Sequence, residues 1–212
     1  DEFASTLNLP FQPTEYQTEA VAHCIRENRA MILSPTASGK SLIIYLLTQF
    51  YQEHKTLIIV PTVSLVTQMA GDFKDYGYKG NCKLITAGVD KHNIDERITV
   101  TTWQSIYKMP KAWFDQFEVV VGDEAHLFKA KSLTSIMTKL TDCKYRFGFT
   151  GTLDGTETHK LVLEGLFGTV KSFVKTKDLI ESGTVADLKI KILVLKYAEE
   201  TAKINKDNKF QD

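Results

Sequence analysis

The sequence predicts an α/β domain with a mostly parallel central sheet and helices on both faces. Two observations carry this. Short β-rich runs alternate with segments of helical period, and those runs are continuously apolar, as strands covered on both faces are. A third observation sets the scale: 212 residues, 43% hydrophobic and 25% charged, suffice to bury one large core.

The strands are expected over 30–34 (AMILS), 56–60 (TLIIV), 82–86 (CKLIT), 98–102 (ITVTT), 117–121 (FEVVV) and 145–149 (YRFGF). Between them, YQTEAVAHCI places Ala20, Val21, Cys24 and Ile25 on one helical face. SLTSIMTKL does the same with Leu133, Ile136, Met137 and Leu140. Such stripes read as core faces. Beyond Val170 the spacing predicts a short helix, a turn at Gly183 and a strand with Leu188, Ile190, Ile192 and Val194 alternating with lysines, then a polar tail.

Composition excludes several classes. No apolar run approaches the roughly 18 residues of a membrane span, so no membrane partner is expected. Cys24, Cys82 and Cys143 form no metal or disulfide pattern and read as buried thiols in a reducing compartment. The 26 basic and 26 acidic residues balance, which argues against a polybasic binder but leaves phosphate recognition by loop amides open. The chain opens on DEFAST, without Met or an export signal, and is expected to be a fragment.

Three features point to chemistry, each at a strand end. SPTASGKS (34–41) follows a strand and opens a helix, close to the phosphate-loop pattern G-x-x-x-x-G-K-[ST] but with Ser34 in place of the first glycine. In that reading Gly39 lets backbone amides close on a phosphate, Lys40 neutralises it, and Ser41 ligates Mg²⁺. VVVGDEAH (119–126) ends an apolar strand in two adjacent carboxylates. Asp123 suits a metal shell and Glu124 a water-orienting base, as cleavage of a phosphoanhydride requires. FTGTLDG (149–155) places the Thr150 and Thr152 hydroxyls where they could link a nucleotide to moving parts.

In order, EYQTEAV, SPTASGKS, IIVPTVSLVTQM, VTTWQSI, VVGDEAH and FGFTGT resemble motifs Q, I, Ia, Ic, II and III of the superfamily 2, DEAH-containing helicases. Around LIIVPTVSLVTQMAGDF, TWQSIYKMPKAWFDQF and ESGTVADLKI the chain is most similar to the UvsW-type recombination helicases of T4-like bacteriophages. The resemblance runs from about Phe11 to Tyr197. It implies a RecA-like P-loop NTPase domain using ATP and Mg²⁺. The partners implied are single-stranded and branched DNA, the role is recombination, repair and replication restart, and the setting is the bacterial host cytoplasm.

Position by position, the resemblance implies that Gln17 reads the adenine, with Phe11 or Tyr16 packing on it. Thr36, Ala37, Ser38, Gly39, Lys40 and Ser41 wrap the phosphates. Asp123 and Ser41 hold the metal, and Lys40, Asp123 and Glu124 form the catalytic set. His126, Thr150 and Thr152 couple the site to movement, while Thr62, Gln68, Thr101 and Thr102 follow a DNA strand, with Trp103 and Gln104 beside them. Gln17 also reads as a solvated helix residue, Thr62 as an N-cap, and Trp103 as a packing residue. A duplex-tracking translocase and a non-catalytic ATP- or DNA-binding module stay open as alternatives.

Two departures stand out. Ala37 occupies a position where relatives carry glycine. The arginines are Arg26, Arg29, Arg97 and Arg146 alone, so nothing after Arg146 can act as an arginine finger, a group worth roughly 10³–10⁵ in turnover. The expected organisation is therefore an N-terminal extension (1–10), a first RecA-like helicase domain (11–170), and a bridge (171–212) towards a second RecA-like domain outside this chain.

Overall fold

The computed structural model describes residues 2–184 except 8, 129 and 154–156. Seven strands make one sheet: β1 (Arg29–Leu33), β2 (Thr56–Val60), β3 (Cys82–Ile85), β4 (Ile98–Thr102), β5 (Val119–Gly122), β6 (Tyr145–Thr150) and β7 (Val170–Ser172). Their order is β3-β4-β2-β5-β6-β1-β7, and every pairing is parallel. All six expected strands are present. The seventh was not expected, because VKS is too short and polar to show a strand pattern. It adds to the edge beside β1 through Met31, Ile32 and Leu33.

Alternate residues of each strand face opposite layers. In β2, Ile58 and Val60 join a core with α2 (Glu15–Glu27), α3 (Lys40–Phe50) and α4 (Val63–Asp75). Leu57 and Ile59 join a second core on the other face, with Ile106, Phe114, Leu133, Ile136, Met137 and Leu163. Those residues come from α5 (Trp103–Ile106), α6 (Lys111–Phe114), α7 (Ala130–Lys139) and α8 (Glu157–Phe167). Both expected helical stripes are core faces: Ala20, Val21 and Cys24 on one side, Leu133, Ile136, Met137 and Leu140 on the other.

Local signals fix the helix ends. Thr14 precedes α2, and its N–H donates to Gln17 Oε1 at 2.9 Å. The helix stops at Asn28, in the left-handed region (φ 60°), whose N–H returns to the Cys24 carbonyl. Glycine matters most under α8. A Cβ at Gly148 would lie 2.3 Å from Met31 Sδ and 2.9 Å from Phe167, so only glycine lets the Phe167 ring reach the sheet.

The N-terminal segment packs on the domain. The short helix α1 (Glu2–Thr6) sets Phe3 edge-on to Phe50 at 5.4 Å, and Leu7 and Leu9 lie against the first core. Beyond β7, α9 (Thr176–Glu181) buries Leu179, and Gly183 turns with φ 72°. The expected strand over 188–194 and the polar tail lie outside the described residues. The three cysteines are free, Cys24 and Cys143 buried. No helix among the described residues is long and apolar enough to cross a membrane.

Candidate active site

In a parallel sheet, ligands collect where strands end and helices begin. Here the carboxyl ends of β1, β5 and β6 converge, with β2 beside them. The turn after β1 starts at Ser34, whose N–H donates to the Thr150 carbonyl at 2.8 Å, so the loop is pinned to β6. Ser38 is buried; its hydroxyl donates to the Pro35 carbonyl at 2.6 Å and meets Ser34 Oγ at 2.5 Å. Ser34 thus has a task that glycine could not perform: it closes the turn through its side chain. Ser38 holds the loop's shape, whereas Thr36 and Ala37 are exposed on it.

Gly39 is left-handed (φ 75°, ψ 39°) and opens α3. A Cβ there would meet Gln17 Nε2 at 2.4 Å, so the position requires glycine for its torsion and for its space. Gln17 Nε2 donates to the Ser38 carbonyl at 3.0 Å, and the Tyr16 hydroxyl donates to the same oxygen at 3.0 Å. With Gln17 Oε1 taken by Thr14, one amide N–H remains for a ligand. The side chain is buried, which departs from a solvated helix residue; it braces the loop. Ala37 also lies in the left-handed region (φ 65°), which a Cβ disfavours.

Lys40 and Ser41 begin α3 on the loop's ligand side. The Lys40 ammonium pairs with Glu124 Oε1. Glu124 itself sits at φ 48°, ψ 46°, a conformation costing a non-glycine residue about 1–2 kcal/mol. The chain turns out of β5 there, and the Gly151 N–H donates to Glu124 Oε2 at 3.3 Å. A Cβ on Gly151 would lie 3.6 Å from Lys40 Nζ.

Asp123, at the end of β5, is 6% exposed, and its Oδ1 accepts the Glu124 N–H at 3.0 Å. Burial pushes its carboxyl up to about 6; the Lys40 charge opposes the rise and the Glu124 charge adds to it. His126 follows in a 3-10 turn (Ala125–Leu127). Thr150 Oγ1 donates to the Thr152 carbonyl at 2.5 Å, so at its 2.5 Å contact with His126 Nδ1 the imidazole N–H donates. The same Nδ1 is 3.5 Å from Glu124 Oε2, giving a chain Thr152–Thr150–His126–Glu124–Lys40.

These groups surround a cavity of about 310 Å³ lined by Thr36, Ala37, Gly39, Lys40, Ser41, Asp123 and Glu124 on one side and by Leu65, Gln68, Met69 and Asp72 on the other. The second wall is one face of α4, at i, i+3, i+4 and i+7. That spacing was legible in VSLVTQMAGDF, but Asp72 carries no motif signal. Tyr76, one turn further, was missed as well; its hydroxyl is 2.7 Å from Ser41 Oγ. Burial raises the Asp72 carboxyl above its usual range, and the nearby Ser41 hydroxyl opposes the rise.

The expected DNA-facing residues divide. Thr62 is exposed at the start of α4, its Oγ1 accepting the Leu65 N–H at 3.4 Å. Gln68 is exposed and lines the cavity. Thr101 is buried, and its hydroxyl donates to the Ile85 carbonyl at 3.0 Å. Thr102 is 4% exposed, with its hydroxyl 2.9 Å from Ser105 Oγ. Trp103 packs against the second core, as a packing residue would.

A divalent cation fits this donor set. Ser41, Asp123 and Glu124 offer only oxygen ligands, and no cluster of three or more metal-ligating His, Cys, Asp or Glu occurs among the described residues. Few protein oxygens, completed by phosphate and water, is how Mg²⁺ is usually held.

The family described as "Type III restriction enzyme, res subunit" matches residues 10–155. The chain is 38% identical over 225 residues to the ATP-dependent DNA helicase uvsW of Enterobacteria phage T4, covering 100% of this chain and 45% of the relative. It is 29% identical over 189 residues to the DNA 3'-5' translocase XPB2 of Sulfurisphaera tokodaii, covering 89% of this chain and 42% of the relative. The crystal structure of the UvsW helicase from bacteriophage T4 superposes with a TM-score of 0.75 at 38% identity, over 81% of this chain and 66% of that one. The chain spans less than half the length of these two curated relatives.

Proposed function

Since the chain belongs to the type III restriction enzyme res subunit family, we propose that it is the ATP-binding motor half of a DNA helicase that unwinds or remodels branched DNA in recombination, repair and replication restart. The chain is homologous to ATP-dependent DNA helicases and translocases. Its fold is that of their RecA-like motor domain.

One observation carries the reading: Lys40, Ser41, Asp123 and Glu124, 84 positions apart at the extremes of sequence, line one cavity at the carboxyl edge of the sheet. The loop amides of Thr36 to Ser41 cradle the β- and γ-phosphates, aided by the start of α3. Lys40 leaves Glu124 and turns to the phosphate oxygens, which frees the Glu124 carboxylate to orient the attacking water and take its proton. Ser41 and Asp123 hold Mg²⁺, which when bound neutralises the phosphate charge. His126, Thr150 and Thr152 report the state of Glu124 to β6. Gln17 keeps the loop shut from the base side. The exposed Thr62 contacts a DNA phosphate.

Turnover draws on a second RecA-like lobe that brings an arginine to the phosphates, and the bridge to it lies beyond β7, whose residues pair with β1. The reading is supported by the share of the relatives that this chain spans. The setting that follows is the cytoplasm of a phage-infected bacterium. The decisive assay measures ATP hydrolysis by the chain with and without single-stranded DNA. Nucleotide binding with negligible turnover supports the half-motor; brisk DNA-stimulated turnover contradicts it.

The similarity to a translocase carries a second reading, a motor that tracks duplex DNA without separating it. A strand-displacement assay with the motor joined to its second lobe distinguishes the two.

A further inference from the structure

At the edge of the sheet where β3 and β4 begin lies a second cavity, of about 500 Å³. Its walls include Tyr45, Gln49, Gln52, Tyr78, Lys79 and Arg97. None of its lining residues is acidic, whereas three carboxylates line the active-site cavity. A neighbouring depression of about 80 Å³ shares Tyr78 and Gly80 with it and carries Lys74, again without an acidic lining residue. Arg97 immediately precedes β4, and Thr102, expected on the DNA path, ends the same strand. At about 3.3 Å per residue the two stand roughly 16 Å apart, at opposite edges of the sheet.

The donors on these walls are largely unused. Arg97 Nη1 donates to the Thr48 carbonyl at 2.6 Å, and the guanidinium lies over the Tyr78 ring at 5.5 Å. The rest of its donor fork meets no acceptor among the described residues. Among those residues no carboxylate pairs with Arg97, Lys74 or Lys79. Tyr45 is 4% exposed, yet its hydroxyl has no hydrogen-bond partner among the described residues. A tyrosine so deep ordinarily finds one.

We propose that the two depressions hold two phosphates of one DNA strand, away from the motor's own strand path. Arg97, Lys79 and the Tyr45 hydroxyl take one phosphate, and Lys74 takes the other. Cations without carboxylate partners select an anion, and the neutral donors Gln49 and Gln52 add hydrogen bonds to phosphate and sugar. Two cationic depressions that share one aromatic ring fit a chain of phosphates better than a single small anion. That the anion is DNA rests on the motor reading above; that it is an anion rests on the lining alone. Held there, one arm of a branched substrate stays on the domain while another moves along the carboxyl edge.

The test follows the anisotropy of a fluorescein-labelled single-stranded oligonucleotide titrated with the chain over a series of sodium chloride concentrations. It reads the slope of log affinity against log salt. Lys74→Gln and Lys79→Gln should each make that slope shallower by about 0.7, the value of one phosphate contact to a single strand, and the pair by about 1.4. Arg97→Lys keeps the charge and should keep the slope. Tyr45→Phe removes a hydroxyl without a partner among the described residues, so thermal stability should hold or rise. Its affinity for the strand should fall about two- to tenfold, the worth of a neutral hydrogen bond. Affinity for fluorescent mant-ADP should stay within about twofold of the parent in every variant, since none of these residues lines the nucleotide cavity. Parental slopes in both lysine variants overturn the proposal. So does an equal change in Lys160→Gln, an exposed lysine of α8, which marks a diffuse charge effect. Failure of the motor reading has a different signature: the parent chain itself would leave the anisotropy unchanged at the lowest salt, which contradicts DNA binding as a whole, this site included.

Discussion

Glu124 holds two neighbouring groups at once: Oε1 pairs with the Lys40 ammonium, and Oε2 accepts the Gly151 N–H at 3.3 Å. The carboxylate therefore ties the first helical residue after the phosphate loop to the residue that follows β6. Replacing it by a neutral isostere should separate its two uses. Glu124→Gln keeps a hydrogen-bonding shape but cannot take a proton. Nucleotide affinity is expected to stay within about threefold, while turnover of the motor joined to its second lobe falls by about 10²–10⁴, the usual worth of a general base. Turnover at the parent rate would remove Glu124 from that role.

Asp123 gives the site a pH dependence. Its carboxyl is pushed up to about 6 in the folded chain, above the ordinary 3.8, so the folded state binds this proton more readily than the unfolded state does. The group's contribution to stability is thus complete below about 3.8 and lost as pH rises through about 6. A cation offsets the cost of the buried charge only where the charge exists. Mg²⁺ with ADP should therefore raise the melting temperature clearly at pH 7.5 and much less at pH 5, relative to ADP in EDTA.

The loop holds a matched pair of left-handed residues, Ala37 and Gly39. Gly39→Ala adds a Cβ at 2.4 Å from Gln17 Nε2 as well as torsional strain. A loss of about 1–2 kcal/mol from the torsion alone is expected, with disrupted nucleotide binding. Ala37→Gly relieves the same torsion but loosens the unfolded chain, so it should be neutral or stabilising by under about 1 kcal/mol. Urea denaturation of the two variants measures both signs.

Phe167 is fully buried over Gly122 and Gly148. Phe167→Ala leaves a cavity that two glycines cannot fill, and should cost about 3–5 kcal/mol. Because β5 and β6 end in the site, the melting temperature and nucleotide affinity should fall together.

Strand runs such as TLIIV and FEVVV were legible because burial on both faces demands continuous apolar sequence. The carboxylates of VVVGDEAH were legible because charge at the end of such a strand needs a partner. What the sequence could not disclose were relations across the fold. Asp72 and Tyr76 read as ordinary polar residues of a helix until α4 is laid beside α3. Thr101 reads like Thr102, and only the sheet turns its hydroxyl towards Ile85. The strand β7 was invisible because its three residues are held by pairing with β1 rather than by their own hydrophobicity.

The central claim is that residues 34–41, with Asp123 and Glu124, form a Mg·ATP site. Calorimetric titration of a non-hydrolysable ATP analogue in magnesium chloride, on the parent chain and on Lys40→Ala, tests it most directly. The account predicts saturable one-to-one binding by the parent and a loss of at least about tenfold in the variant, because a charge-assisted contact to phosphate is worth about 1.5–3 kcal/mol. Equal affinities would contradict it.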